Sequence, residues 1–353
     1  MEFFSFFIIE RYLFSYTEVR WLMKKVCVLF GGTSSEHFVS CHSAESILEN
    51  IDRKKYHVHA IYIDQNNHWY IGNDDFEAIY NQTWVEKYEE NYIENVIEEL
   101  QKYDVIFPML HGKNGEDGKL QGMLELFQIP YVGCSSISSA IAMDKDLTKI
   151  ILNVAKIPQL PYVVIDERRY QIKDILKHLD FPMIVKPSNG GSSIGIGKAN
   201  NKKELAQSIR EAGKYDHKII IEPFIQAKEL ECAVLEHKKL HVSTIGEIIP
   251  ANEFYDYNAK YENANSLTII PANIPKNISK QIQKYAKAAF RAIDGKEMAR
   301  IDFFYDKKND QIYLNEINPL PGFTTISMYP KLLIHDKMTY KNIINLLIDH
   351  ASV

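Results

Sequence analysis

Three times in this chain a short apolar run breaks into a glycine-rich loop, and that repetition constrains the fold class more than any other feature. Val26 to Phe30 runs into Gly31-Gly-Thr-Ser-Ser-Glu36, and a helical pattern follows through Ala44 to Ile51. Strand, glycine turn and helix open an α/β unit. Val58 to Ile63 supplies a second strand and Val105 to Pro108 a third, which leads into His111-Gly-Lys-Asn-Gly-Glu-Asp-Gly118. So many glycines in one loop mark a place where backbone or ligand must come close, and loops after the strands of an α/β sheet are where ligands gather. The last instance is Ile184 to Pro187 followed by Ser188-Asn-Gly-Gly-Ser-Ser-Ile-Gly195. Its N–H groups and hydroxyls can wrap phosphates, with Lys186 adding a point charge from the preceding strand. It is not a Walker A loop, because no Gly-Lys-Ser/Thr follows the glycines.

A different pattern closes the chain. The runs Ile301 to Tyr305 and Ile312 to Ile317 flank the polar Asp306 to Asp310, which reads as a hairpin. Strand side chains alternate, so Glu316 and Asn318 share a face, and Asp302 can join them from the other strand. Two carboxylates and a carboxamide suit a hard divalent cation such as Mg2+, with phosphate oxygens of a nucleotide completing the shell.

At 353 residues the chain is too long for one core and divides into two or three domains. With 46% hydrophobic and 25% charged residues it is an ordinary globular protein, and its net charge of -5 argues against nucleic-acid binding. Cys27, Cys41, Cys134 and Cys232 are scattered, form no CxxC pair and read as small buried hydrophobes in a reducing compartment. Residues 1–22 hold an apolar stretch, Phe3 to Ile9, too short to span a bilayer and poor as a signal peptide. They are expected to be an extension ahead of a start at Met23, without membrane insertion. From Trp84 to Leu100 the apolar residues follow a helical period with glutamates opposite, as in a solvated helix. Lys218 to Glu222 is a further strand, Glu231 beyond it reads as a surface charge, and Phe254 to Tyr261 reads as a loop with a job. Ile278 to Ile293 and Thr339 to His350 read as amphipathic helices.

The ordered set Gly31-Gly-Thr-Ser-Ser-Glu36, His111-Gly-Lys-Asn-Gly-Glu-Asp-Gly118, Met143-Asp-Lys145, Lys186 with Gly191-Ser-Ser193, Tyr255-Asp-Tyr-Asn-Ala-Lys260-Tyr261, Arg300-Ile-Asp302 and Asn315-Glu316-Ile-Asn318 with Pro321-Gly322 closely resembles the D-alanine:D-alanine ligases of the ATP-grasp superfamily. The resemblance spans residues 24 to 350. It implies an α/β (α+β) three-domain ATP-grasp fold with an N-terminal Rossmann-like parallel sheet domain, divided as 23–133, 134–221 and 222–353. By the same resemblance Lys145 and Lys186 hold ATP phosphates, Ser192 and Ser193 belong to the phosphate loop, Glu222 meets the adenine, Glu229 the ribose and Lys260 the γ-phosphate. Asp302, Glu316 and Asn318 bind two Mg2+ (or Mn2+) ions. Glu36 receives the ammonium of the first D-alanine and His111 lies beside its carboxylate. Arg300 and the Gly322 N–H face the oxygen that gains charge, and Ser327 helps seat the second D-alanine. Tyr261, on a loop of residues 252–264 that closes over the acyl phosphate, reaches toward Glu36 and Ser192.

The implied activity is ATP-dependent formation of D-alanyl-D-alanine for peptidoglycan, in a cytoplasmic homodimer acting on small molecules. Phe38, Pro319 and Ile326 depart from the family's common pattern near the substrate pockets. They keep open a D-alanine:D-serine ligase or another ATP-grasp dipeptide ligase. A nucleotide-binding protein of this shape without turnover is the rival of another class, and the full set of lysines, Arg300 and metal ligands stands against it.

Overall fold

The computed structural model describes residues 23–72, 78–79, 83, 89–249 and 267–351. Strand β1 (Lys24–Gly31) is buried from Val26 onward and leads into helix α1 (His37–Asn50). Next come β2 (Tyr56–Ile63), β3 (Trp69–Gly72), the short α2 (Val96–Leu100) and β4 (Val105–Met109). Their order is β3-β2-β1-β4, with β1 parallel to both β2 and β4 and β3 antiparallel at the edge. Strands β2 and β4 thus flank β1 on opposite sides, and a crevice opens at the C-terminal ends of β1 and β4. Both glycine loops predicted to matter, 31–36 and 111–118, emerge there.

The long helix expected over 84–100 is not formed. Residues 84–88 lie outside the described set, residues 89–91 make a single 3-10 turn, and helix begins only at Val96, where the Asn95 side chain accepts from Glu98 N. In between, Tyr92 bridges Tyr70 and Ile93 N donates to Trp69 O at 2.8 Å. Pairing with the edge strand β3 has overridden the helical period.

Helices α3 (Lys119–Leu126), α4 (Ser136–Met143) and α5 (Lys145–Val154) lead to the second sheet. That sheet has the order β5-β8-β6-β7 and is antiparallel throughout, built from β5 (Val163–Asp166), β6 (Met183–Pro187), β7 (Gly197–Ala199) and β8 (Lys218–Pro223). Helices α6 (Ile172–Ile175) and α7 (Lys202–Ala212) cover it, the latter N-capped by Asn201. The third sheet runs β12-β11-β9-β13-β14 with β10 on β9, from β9 (Lys228–Glu236), β10 (Leu240–Val242), β11 (Gly246–Ile249), β12 (Leu267–Ile269), β13 (Met298–Asp306) and β14 (Gln311–Asn318). Helix α8 (Lys276–Ala292) buries Ile278, Ile282, Ala286, Ala289 and Phe290 against it. This i, i+4 stripe is what holds α8 there, at about 1.5–3 kcal/mol for each large side chain.

Cys134, Ala142, Leu152 and Ile157 share the core of the third sheet, so the segment after the first sheet packs beside the C-terminal strands. Helices α9 (Met328–His335) and α10 (Tyr340–His350) return to the first sheet, and Phe323, Tyr329, Leu347 and Ile348 join Val28, Phe30 and Phe107 in one core. First and third sheets are thereby fastened together. All four cysteines are buried and free. Among the described residues no helix is long and apolar enough to cross a membrane.

Candidate active site

The three sheets meet around one cleft of about 800 Å³. Glu36, His111, Lys145, Lys186, Ser192, Ser193, Glu222, Glu229, Arg300, Asp302, Glu316, Asn318, Gly322 and Ser327 all line it. Lys260, Tyr261 and the loop 252–264 lie outside the described residues, as do residues 1–22.

Glu36 sits at the mouth of α1, 8% exposed, and accepts a hydrogen bond from the Ser192 hydroxyl of the phosphate loop. Two glycines make this meeting feasible. A Cβ on Gly112 would lie 2.6 Å from Glu36 Oε2 and one on Gly191 would lie 2.9 Å from it. Gly112 has a φ of +74° besides, so a side chain there is excluded twice over. Ser192 and Ser193 also adopt positive φ, which turns the loop sharply toward Glu36. His111 is buried next to this carboxylate, with Nε2 3.1 Å from Ser43 Oγ and Nδ1 3.4 Å from Glu116 Oε1. Burial opposes charge on the imidazole, yet Glu116 and Glu36 outweigh it and hold the His111 pKa above its ordinary value. Glu116 is itself fixed by Gly112 N at 3.0 Å.

On the second side, Lys145 begins α5 and its Nζ donates to Gly190 O at 2.6 Å. Asp144 places it. The Asp144 carboxylate caps α5 by accepting from Asp146 N and Leu147 N, takes the Ser188 hydroxyl at 2.7 Å and binds Lys218 at 2.5 Å. Glu222 is 3% exposed and lies between two lysines, Lys149 and Lys186, each 2.7 Å away. Burial alone would raise its pKa, but the two ammonium groups hold it down at about 2. Lys186 is pushed the other way: burial would lower it, and Glu222, Glu316 and Glu229 raise it.

The third side is the hairpin. Its register pairs Asp302 with Glu316 and Arg300 with Asn318, so all four side chains share the cleft face, and a bulge separates Asp302 from Phe303. Arg300 forks Asp302 through Nε at 2.8 Å and Nη2 at 2.7 Å, and Asn318 Nδ2 donates to Asp302 Oδ2 at 3.0 Å. Glu231 is not the surface charge expected. It is 7% exposed and lies 3.0 Å from Arg300 Nε, because β9 pairs with β13 and turns this residue inward. Among the described residues no three His, Cys, Asp or Glu side chains form a metal cluster by themselves. The shared face of Asp302, Glu316 and Asn318 offers two carboxylates and an amide oxygen, a donor set that would suit a hard cation taking the rest of its shell from phosphate.

Gly322 and Ser327 complete the rim. A Cβ at Gly322 would meet Ser327 Oγ at 2.9 Å, and Ser327 Oγ bonds Thr324 Oγ1 at 2.7 Å. Ser43 Oγ accepts from Phe323 N at 3.2 Å, tying α1 to this turn.

The family profile described as D-ala D-ala ligase N-terminus matches residues 25–134, and the one described as D-ala D-ala ligase C-terminus matches residues 151–349. The chain belongs to the D-Ala–D-Ala ligase family. A D-alanine–D-alanine ligase of Ruminiclostridium cellulolyticum is 43% identical over 93% of this chain and 95% of its own length. That of Clostridium acetobutylicum is 43% identical over 94% and 98%. Among solved structures, the VanG D-Ala:D-Ser ligase from Enterococcus faecalis superposes with a TM-score of 0.84 at 36% identity, covering 93% of this chain and 99% of that one. The D-alanine–D-alanine ligase from Coxiella burnetii gives 0.82 at 33% identity, with 93% of each covered. The ATP-grasp expectation thus holds, with an N-terminal sheet that is parallel except for its edge strand.

In this D-Ala–D-Ala ligase family member, the sequence alone assigns no role to Ser43, Glu116, Asp144 and Lys149, and it presents Glu231 as a surface charge. Asp144 carried a signal, since an aspartate before a helical run is a helix cap. Glu116 stood in the quoted glycine loop without a role. Lys149 and Glu231 had no local signal, because their partners come from other elements.

Proposed function

We propose that this chain joins two D-alanine molecules at the expense of ATP, through a D-alanyl phosphate. The observation that carries the reading is the meeting in one cleft of a buried carboxylate and a histidine from the first sheet, lysines and a serine-glycine loop from the second, and the Asp302–Glu316–Asn318 face of the third. A carboxylate is a poor electrophile. Its oxygen attacks the γ-phosphorus and ADP leaves; the amine of the second D-alanine then attacks the carbonyl carbon, phosphate departs, and a proton is lost from nitrogen.

Each side of the cleft has a task in that sequence. Glu36 takes the ammonium of the first D-alanine and His111 its carboxylate, the raised His111 pKa favouring the charged form that such a partner needs. Lys145, Lys186, Ser192 and Ser193 hold phosphates, and Lys260 joins them at the γ-phosphate. Glu222 carries Lys186 while facing the adenine end, and Glu229 takes the ribose. Asp302, Glu316 and Asn318 would hold two Mg2+ ions, which supply charge neutralisation at the transferring phosphoryl group. Arg300 and the Gly322 N–H face the oxyanion of the tetrahedral intermediate, where one donor is worth roughly 3 kcal/mol. Ser327 seats the second amino acid, and Tyr261, outside the described residues, keeps the role that the family resemblance implies for it. The enzyme works as a homodimer in the cytoplasm.

Phosphate release from ATP and Mg2+ with D-alanine alone, followed by the mass of the product, tests this directly. D-alanyl-D-alanine is expected. Turnover only after D-serine is added would move the chain to the second reading, which the likeness to the VanG D-Ala:D-Ser ligase keeps in view.

A further inference from the structure

Asp302 stands opposite Glu316 on one side and opposite Glu231 on the other. Three carboxylates therefore occupy one rung of the third sheet, on one face. Like charges directly opposite each other in a sheet are destabilising, so the rung depends on cations. Arg300, two rungs away between Ala233 and Asn318 and on the same face, folds back into it. Its guanidinium takes both oxygens of Asp302, at 2.8 and 2.7 Å, and its Nε also lies 3.0 Å from Glu231 Oε2. The small Ala233 across from Arg300 leaves the space for that fold.

This geometry poses a conflict. The guanidinium takes one lone pair on each oxygen of Asp302 and Asn318 Nδ2 a second on Oδ2, so a cation drawn to Asp302 competes with these donors for the same carboxylate charge, and a buried guanidinium loosens from a carboxylate at a cost unless another is at hand. We propose that Glu231 is a positioning residue, the second station for Arg300, which holds the guanidinium when Asp302 turns to the metal and keeps it beside the reacting oxygen. The inference rests on the reading of Asp302 as a metal ligand. Glu231 itself need not touch metal, nucleotide or amino acid.

The consequence is a metal affinity that depends on a residue outside the ligand set. Without the Glu231 carboxylate, Arg300 loses its alternative acceptor and competes harder for Asp302. Charge-assisted hydrogen bonds of this kind change an equilibrium by about tenfold or more. Mn2+ binding, read from the electron paramagnetic resonance of the free ion in the presence of a non-hydrolysable ATP analogue, measures this without turnover. Glu231→Gln should weaken Mn2+ by about tenfold. Glu231→Asp retains the charge but withdraws it by one methylene, so it too should weaken Mn2+, and it remains informative if the glutamine variant does not fold. In an Arg300→Ala background neither change should have this effect, because the competitor is gone. An equal loss in both backgrounds would mean that Glu231 acts only as a distant charge, and unchanged Mn2+ affinity in both single variants would mean that it holds nothing; either result overturns the proposal. Asp302→Asn separates the underlying reading: wild-type Mn2+ affinity there would remove Asp302 from the metal site whatever Glu231 does, and the proposal would fall with it.

Discussion

Glu297 offers a test of the electrostatics at the junction between the first and third sheets. The side chain is 2% exposed and one of its oxygens accepts from Gly133 N at 2.8 Å, where the chain leaves the first sheet. Tyr131, Cys134 and Tyr329 lie within its electrostatic reach, as do Glu236 and Lys296. Burial is the chief cause of a pKa raised from 4.5 to about 8, and Glu236 adds to it; the Gly133 N–H and Lys296 oppose it. Between those two values the folded protein keeps a proton that the unfolded chain has released. Stability from this group is therefore complete below about pH 4.5 and lost as pH rises through 8. Each tenfold step in proton affinity is worth about 1.4 kcal/mol, so the loss across the window is about 4 kcal/mol. Glu297→Gln keeps an acceptor for Gly133 N and removes the titration. Its thermal unfolding, followed from pH 5 to 9, should match the wild type within about 1 kcal/mol at the acid end and exceed it by about 4 kcal/mol near pH 8. Two curves that stay parallel across the range would refute the assignment, because a packing effect of the substitution does not titrate.

The cleft itself gives sharper functional readouts. Lys149→Met removes one of the two ammonium groups flanking Glu222 and should cost about 3–5 kcal/mol of stability while raising the KM for ATP; an unchanged melting temperature would show that Lys186 alone neutralises Glu222. Glu116→Gln withdraws the carboxylate that raises the His111 pKa, so the alkaline fall of kcat/KM for D-alanine should begin at lower pH, with a limb that stays in place counting against a charged His111. Glu316→Gln should reduce turnover by a hundredfold or more, as expected for loss of charge stabilisation at the transferring group, with an unaltered circular dichroism spectrum. Full activity would remove Glu316 from the metal site.

Much of this arrangement was legible because it depends on local rules. Alternation along two adjacent strands put Asp302, Glu316 and Asn318 on one face, and the hairpin register agrees. Glycine clusters marked the loops that converge on Glu36, where Gly112 and Gly191 leave no room for a Cβ. What escaped was nonlocal. Glu231 is buried through pairing with a strand that begins more than sixty residues later, and Lys149 finds Glu222 across the gap between a helix and a sheet. The acidic stretch before Leu100 failed for a related reason: its period was helical, but backbone pairing of Tyr92 and Ile93 with β3 and the Asn95 cap reset the chain. Periodicity reports what a segment could bury, and contacts from afar decide whether it does.

The cations of the cleft share one property that bears on how a polyphosphate binds. Lys145 donates to Gly190 O, Lys186 lies against Glu222 and Asn315, and Arg300 is divided between Asp302 and Glu231. Each already has an acceptor within the protein, so a phosphate oxygen replaces a partner and gains only the difference between the two. Strong charge is thus kept in a buried place at a tolerable cost, since an isolated buried ion would otherwise lose its proton or its position. The same exchange makes the site selective. An anion that engages only one of these groups would disturb its internal pairing for little return, whereas a nucleotide carrying cations would engage the lysines together with Asp302, Glu316 and Asn318. On this argument, replacing an internal acceptor can be as damaging as replacing the cation it holds, because both change the difference on which binding depends.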